Sequence, residues 1–419
     1  MADHTLESQA VTAESELEAA RAELARFDSP RAWRMVAVAF VAMFAVYGVA
    51  YSFGAFFKPM AAEFGARSSS TSGVFSLTVF IWCVLGWPAG YLSDRIGPRV
   101  VVAAGALAMG AGLVMTAFID RLWMGYLTYG IGVGIGVATG YVPMVAVVGG
   151  WFLTRRNTAL GIAVAGIGCG TVLMAPVAAA MIERIGWRDT YLVIGAGATA
   201  ILLGCAMLVE RPPVRVAPSA IDLRAALTTA DFRLLYLNSF LSSMALFVPF
   251  VYLPAFAHEH GASRVASAAL VGIIGGASVA GRLGLGAIAD RMSTVRLFAG
   301  CYLLLAASFG WWLGASSYAA LVVFAVAMGA GYGGFVALTP AVLADLFGAA
   351  RLGTIMGILY TSGGVGALLG PPIAGVIIDY TGGYRWAIGY SLAAAIAAFA
   401  VLIPLVASAG NGRAAQARS

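Results

Sequence analysis

Gly90-Tyr91-Leu92-Ser93-Asp94-Arg95 returns later in the chain as Gly286-Ala287-Ile288-Ala289-Asp290-Arg291. The offset is 290 − 94 = 196. The same offset pairs Leu160-Gly161-Ile162 with Met356-Gly357-Ile358, Pro176 with Pro372, and Glu183 with Asp379. Chance does not hold one register over so long a stretch. The chain is therefore read as two halves built alike.

Composition says what the halves are made of. Of 419 residues, 61% are hydrophobic and 11% charged, and the mean hydropathy is +0.90. Soluble domains carry about 25% charged residues. The 53 glycines suit helices packed closely in lipid. Apolar segments near the ~20 residues of a spanning helix lie at 33–57, 72–92, 100–119, 123–148, 158–182, 189–209, 232–257, 265–289, 295–315, 318–343, 353–378 and 384–408. The polar break 210–231 divides them evenly. This predicts an all-α membrane protein of twelve transmembrane helices in two pseudo-symmetric six-helix bundles, 33–209 and 232–408. The remainder is an N-terminal segment 1–32, a linker 210–231 and a tail 409–419.

The charges sit in short loops and read as topology signals, not as a nucleic-acid surface. With both termini cytoplasmic, the inner loops hold Arg95, Arg99, Arg155, Arg156, Arg211, Arg215, Arg224, Arg291, Arg296 and Arg351. The other side has the smaller share: Lys58, Arg67, Arg121, Arg184, Arg188, Arg264 and Arg385. That orientation, in a cell inner membrane, is the expectation. Residues 1–30 are acidic and have no apolar run, so they do not read as a signal peptide. Cys83, Cys169, Cys205 and Cys301 fall inside apolar stretches and read as packing residues. Trp311, Trp312 and the Trp33 region read as interfacial anchors.

One charge breaks the pattern. In Val271 to Ala289 the only ionisable residue is Arg282, eight positions before Asp290. At 1.5 Å per residue it lies about 12 Å from the boundary, near the midplane of a ~30 Å core. Arginine cannot shed its proton there and needs an anion. The helix supplies none, and Ser278 stands one turn earlier. An anionic substrate is the functional reading. A structural arginine bonded to backbone carbonyls, or snorkelling to the boundary, is the alternative. In the repeat register Arg282 corresponds to Gly86, so one half alone carries the charge. Parallel repeats place a substrate site at the midplane between them.

Gly90 to Arg99 resembles the loop between helices 2 and 3 of the major facilitator superfamily, and with the repeat the likeness covers about 33–408. The resemblance implies gating roles for Asp94, Arg95 and Arg99 and for Asp290 and Arg291. Trp151-Phe152-Leu153-Thr154-Arg155-Arg156 through Gly170 looks like the fifth-helix signature of the monocarboxylate transporter family. Tyr51 to Pro59 and Pro249 to Phe256 resemble its first and seventh helices. Arg282 falls where that family carries its substrate-binding arginine. The departures are Tyr51 for a lysine, Ser278 for an aspartate, and Pro30-Arg31-Ala32-Trp33 where an acidic-Gly-Gly lead-in is usual. The bacterial oxalate/formate exchanger group is also similar, but its second cation has no match in Ile358 to Gly364. One unpaired arginine favours a monoanion over a dianion.

Tyr51, Tyr141, Asn238, Tyr332 and Tyr360 are the candidates to complete a pocket. The resemblance implies lining positions for Tyr51 and Tyr360; the others fit packing equally well. There is no P-loop, metal cluster, cofactor motif or catalytic triad, so neither an enzyme nor an ATP-driven pump is expected. No acid or histidine sits beside Arg282 to carry a proton. Proton symport through end-of-helix groups, anion exchange and uniport all stay open. The expected function is a monomeric secondary transporter of a small organic monocarboxylate, lactate- or pyruvate-like, with protons as candidate co-substrate. Its rivals are an organic-anion exchanger of the oxalate/formate type and a multidrug exporter of the same superfamily. Arg282 argues against a cavity for cationic drugs.

Overall fold

The computed structural model describes residues 27–213, 227–289, 293–347 and 352–407. Among these, eleven helical stretches are long and apolar enough to cross a membrane. Arg156–Leu208 is 53 residues, about 80 Å of helix and far too long for one crossing. It breaks at Gly186, at φ 81° and ψ 165°. This stretch is therefore two spans, and the total is the expected twelve. They are α1 (Pro30–Phe64), α2 (Ser68–Ile96), α3 (Pro98–Thr116), α4 (Leu122–Trp151), α5 (156–185) and α6 (187–208). The second bundle holds α7 (Ala230–Glu259), α8 (Arg264–Ala289), α9 (Thr294–Gly314), α10 (Tyr318–Phe347), α11 (Leu352–Thr381) and α12 (Arg385–Val401).

The repeat is visible in the backbone. Ser68 and Arg264, Pro98 and Thr294, Leu122 and Tyr318, and Arg156 and Leu352 open equivalent helices, each pair separated by the same 264 − 68 = 196. Gly186 and Gly382 take positive φ, 81° and 69°, at equivalent turns. α1 and α7 are each interrupted, at Ser52 and Phe247. Both run past the ends that hydropathy suggests: the last turn of α1 packs on its own half, Phe64 against Trp187 and Glu63 on Arg188, and Lys58 reaches Glu259 of α7. Phe53, Phe56, Phe57, Val251 and Leu253 are essentially inaccessible.

Twelve crossings put both ends and the middle connection on one side, the terminal face; the other is the distal face. The halves meet through α2 with α11 and α5 with α8. The second seam is built from small residues. A Cβ at Gly168 would collide with Val279 and the Gly275 carbonyl, and one at Gly275 with Thr171. On its other side α5 presents Gly166 and Gly170 to the Phe40 and Phe44 carbonyls of α1. Gly166, Gly168 and Gly170 are thus close-approach positions, whereas Gly161 of the same helix faces open space.

Two tryptophan readings diverge. Trp311 is an exposed anchor whose Nε1 donates to the Ala320 carbonyl at 2.9 Å. Trp312 is not an anchor: it is buried, its ring 4.7 Å from Phe324 and edge-on to Phe256. Adjacent residues on a helix point about 100° apart, so two tryptophans in sequence cannot both face the interface.

Candidate functional site

Arg282 is half-buried on α8, in the seam with α5. Its Nη1 donates to the Val164 carbonyl across the halves at a long 3.4 Å. Its Nε is buried without a partner. The guanidinium carbon lies 5.7 Å from the centre of the Tyr332 ring, within cation–π range. Among the described residues the ion pairs are Arg34–Glu210, Lys58–Glu259 and Arg188–Glu63, all away from Arg282. Ser278, one turn back, is buried and neutral. The centre therefore holds one fixed positive charge with donor capacity to spare.

The tyrosines gather around it. The Tyr51 and Tyr332 hydroxyls, from opposite halves, are 3.2 Å apart. Tyr51 stacks on Phe250 of α7 at 4.4 Å, and Phe250 meets Tyr332 edge-on at 6.2 Å. Tyr47 stands edge-on to Tyr141 at 5.7 Å and to Trp82 at 5.8 Å. Tyr141 and Tyr360 lie within electrostatic reach of Arg282. The structure thus brings Tyr51, Tyr141, Tyr332 and Tyr360 to the arginine. Tyr47 and Trp82 join them, though nothing in their sequence context singled them out beyond aromaticity.

Asn238 does not belong to this group. Its Nδ2 donates to the Ala398 carbonyl of α12 at 2.9 Å, and the residue is buried in the α7–α12 seam. An amide in a span needs a partner, and this one finds it on the neighbouring helix of its own half.

The distal face is tied across the halves. Asp379 at the end of α11 accepts from the Ser68 and Ser69 backbone N–H groups at 2.9 and 3.0 Å and from Ser69 Oγ at 2.7 Å. It caps α2, whose own N-cap residue, Arg67, offers no side-chain bond. Lys58 pairs with Glu259 at 2.7 Å, and the Tyr384 hydroxyl donates to the same carboxylate at 3.0 Å. Burial and the Glu259 charge push the Tyr384 phenol well above its usual range. The Tyr252 hydroxyl adds a bond to the Ser68 carbonyl.

Among the described residues the terminal face shows no such ties. Among the described residues, every hydrogen bond between the halves lies at mid-depth or on the distal face. Arg99 donates to the Val209 carbonyl, Arg211 to the Arg95 carbonyl and Arg34 to Glu210, all within the first half. Arg95 lies over the Tyr91 ring at 4.7 Å. Asp94 is exposed and makes no hydrogen bond to a described residue. Asp290 and Arg291 lie outside the described residues.

Asp28 was missed as a site residue because it precedes the apolar run. Its carboxylate accepts from the backbone N–H groups of Leu153, Thr154 and Arg155, which lead into α5. Desolvation raises its pKa, but these bonds outweigh it and hold the carboxyl below its usual range. Asp28 thus ties the segment entering α1 to the loop before α5.

Comparison with known proteins fits this architecture. The family model described as Major Facilitator Superfamily matches residues 39–316 and 235–417. A Rattus norvegicus protein, "Monocarboxylate transporter 3", is 30% identical over 84% of this chain and 75% of its own length. "Monocarboxylate transporter 12-B" of Danio rerio is 29% identical over 84% of this chain and 82% of its own. A crystal structure of a bacterial homologue of the human lysosomal transporter Spinster, described as inward-facing and unoccupied, superposes with a TM-score of 0.70. That match is 14% identical and covers 89% of this chain and 96% of the other.

Proposed function

This chain belongs to the Major Facilitator Superfamily, and we propose that within it the chain moves a small organic monocarboxylate across the cytoplasmic membrane by alternating access. The observation that carries this is the Arg282 guanidinium: mid-depth, at the seam of the halves, with its Nε buried and unpartnered and no carboxylate beside it. A carboxylate that leaves water needs charged donors in return, and the planar fork of arginine supplies two. A single cation matches a single negative charge. The names of the relatives point the same way.

In this reading the terminal face is cytoplasmic, and the bundles 33–209 and 232–408 rock about the central site of a monomer. The distal ties then make the present arrangement one that opens toward the cytoplasm. Asp94, Arg95, Arg99, Asp290 and Arg291 would close that side in the opposite arrangement, which accounts for an unbonded Asp94 here.

The test is uptake into proteoliposomes of labelled lactate, pyruvate and oxalate, with and without a pH gradient. Monocarboxylates should accumulate or exchange, and oxalate should do neither. Exchange of oxalate at a higher rate than either monocarboxylate would reassign the substrate to dianions.

A further inference from the structure

The rings around Arg282 carry more than a wall. They form an unbroken belt from Tyr141 of α4 through Tyr47, Tyr51 and Trp82 to Phe250 and Tyr332 of the second half, with the guanidinium at its end. Tyr51 and Tyr332 are buried and their hydroxyls bond each other. One of the two spends its O–H on the other, so the pair keeps a single O–H to donate. Trp82 and Tyr141 differ: both are only half-buried, Tyr141 lies within electrostatic reach of Arg282, and Trp82 joins it through Tyr47. One positive fork with half-buried aromatic surface nearby is complementary to a molecule with one carboxylate and one flat apolar body. A three-carbon hydroxy acid would leave that surface uncovered.

We infer that this site takes aromatic monocarboxylates, of the arylcarboxylate or arylacetate type, with the carboxylate on Arg282 and the ring against Trp82 and Tyr141. The inference rests on the proposed anion-transport reading and narrows its substrate class. Ring–ring contacts favour offset or edge-on geometry, and both tryptophan and tyrosine offer it here. The indole also covers more area than any aliphatic side chain at that position.

The experiment uses the full chain in proteoliposomes, with labelled phenylacetate in counterflow and unlabelled competitors. These are lactate, butyrate, cyclohexylacetate, benzoate and phenylacetate, with benzyl alcohol as the uncharged control. Phenylacetate and benzoate should compete about tenfold better than lactate and several-fold better than cyclohexylacetate, as two ring contacts allow. Trp82→Leu should weaken inhibition by phenylacetate and benzoate several-fold more than inhibition by lactate, removing most of the aryl preference. Tyr141→Leu gives an independent reading if the Trp82 variant does not fold. Lactate competing as well as phenylacetate would overturn the inference and leave the anion reading intact. So would cyclohexylacetate matching phenylacetate, or a Trp82 variant that weakens all competitors equally. Benzyl alcohol competing as well as phenylacetate would instead sink the anion reading, and this inference with it.

Discussion

The two halves share a backbone plan and differ in what they send across their interface. At the centre, α8 carries Arg282 where α2 has Gly86, which packs against Val142 of its own half. At the distal face, α11 carries Asp379 where α5 has Glu183. Asp379 caps α2 of the opposite half. Glu183 is exposed and, among the described residues, bonds nothing. The recipients differ to match. α8 is capped by its own Ser263, whose Oγ accepts from the Ala266 N–H, whereas α2 has Arg67 there and takes its cap from the other half. The repeat supplies a scaffold, and in the proposed reading the departures from it are what recognise substrate and gate the two faces. A strictly symmetric dimer of halves would have neither a single charge nor a directed latch.

Paired substitutions can break or sharpen that contrast. The largest effect belongs to Arg282. Truncation to Ala should cost about 2–5 kcal/mol of substrate affinity, a fall of roughly 30- to several-thousand-fold. Arg282→Lys keeps charge without the fork and should retain weak binding, while Gly86→Ala should leave affinity unchanged. Equilibrium binding of the transported monocarboxylate reads all three. Wild-type affinity in Arg282→Ala would return the residue to a structural role. Chloride should compete with substrate in the wild type, since the empty site holds an unpaired cation.

Next come the glycines, where the halves should behave alike. Gly186 and Gly382 hold positive φ with open space where a Cβ would lie, so the strain is in the backbone alone. Gly186→Ala and Gly382→Ala should each destabilise by about 1–3 kcal/mol. Thermal unfolding in detergent measures this; a loss confined to one half would mean the turns are not equivalent.

Asp379→Ala should cost about 1–2 kcal/mol of distal closure, a population shift of roughly 5- to 30-fold. Labelling of a distal cysteine should rise accordingly, and Glu183→Ala should leave it unmoved. Equal shifts from the two would erase the asymmetry argued above.

The smallest effect concerns Asp28 and pH. Its folded pKa lies below the ordinary carboxylate value, so its tie to residues 153–155 is complete above that value. The tie is lost as pH falls through the lowered pKa. Asp28→Asn should therefore loosen the α4–α5 loop at neutral pH, seen as faster amide exchange at Leu153, Thr154 and Arg155. Unchanged exchange would mean that the carboxylate charge is not what holds the loop.

Hydropathy and register settled the number of spans, their pairing and the isolation of Arg282, because burial in lipid is a property of each local stretch. The spans were legible even where their ends were not: α1 runs on to Phe64, whose ring packs on Trp187 of α6. A single charge in an apolar helix is conspicuous for the same reason, since nothing nearby in the chain can neutralise it. Direction was not legible. Whether Asn238 faces the centre or α12, and whether Trp312 meets lipid or Phe324, turns on a few tens of degrees about a helix axis. Those angles are set by packing against residues far away in sequence. The cap on α2 lies more than three hundred residues from the N–H groups it satisfies. Tyr51 and Tyr332 likewise meet only after the halves close. Composition and periodicity determined that this is a two-bundle membrane protein with one buried cation. Only the tertiary structure decided which rings surround that cation and which face is tied across the halves, because those depend on contacts that no local stretch contains.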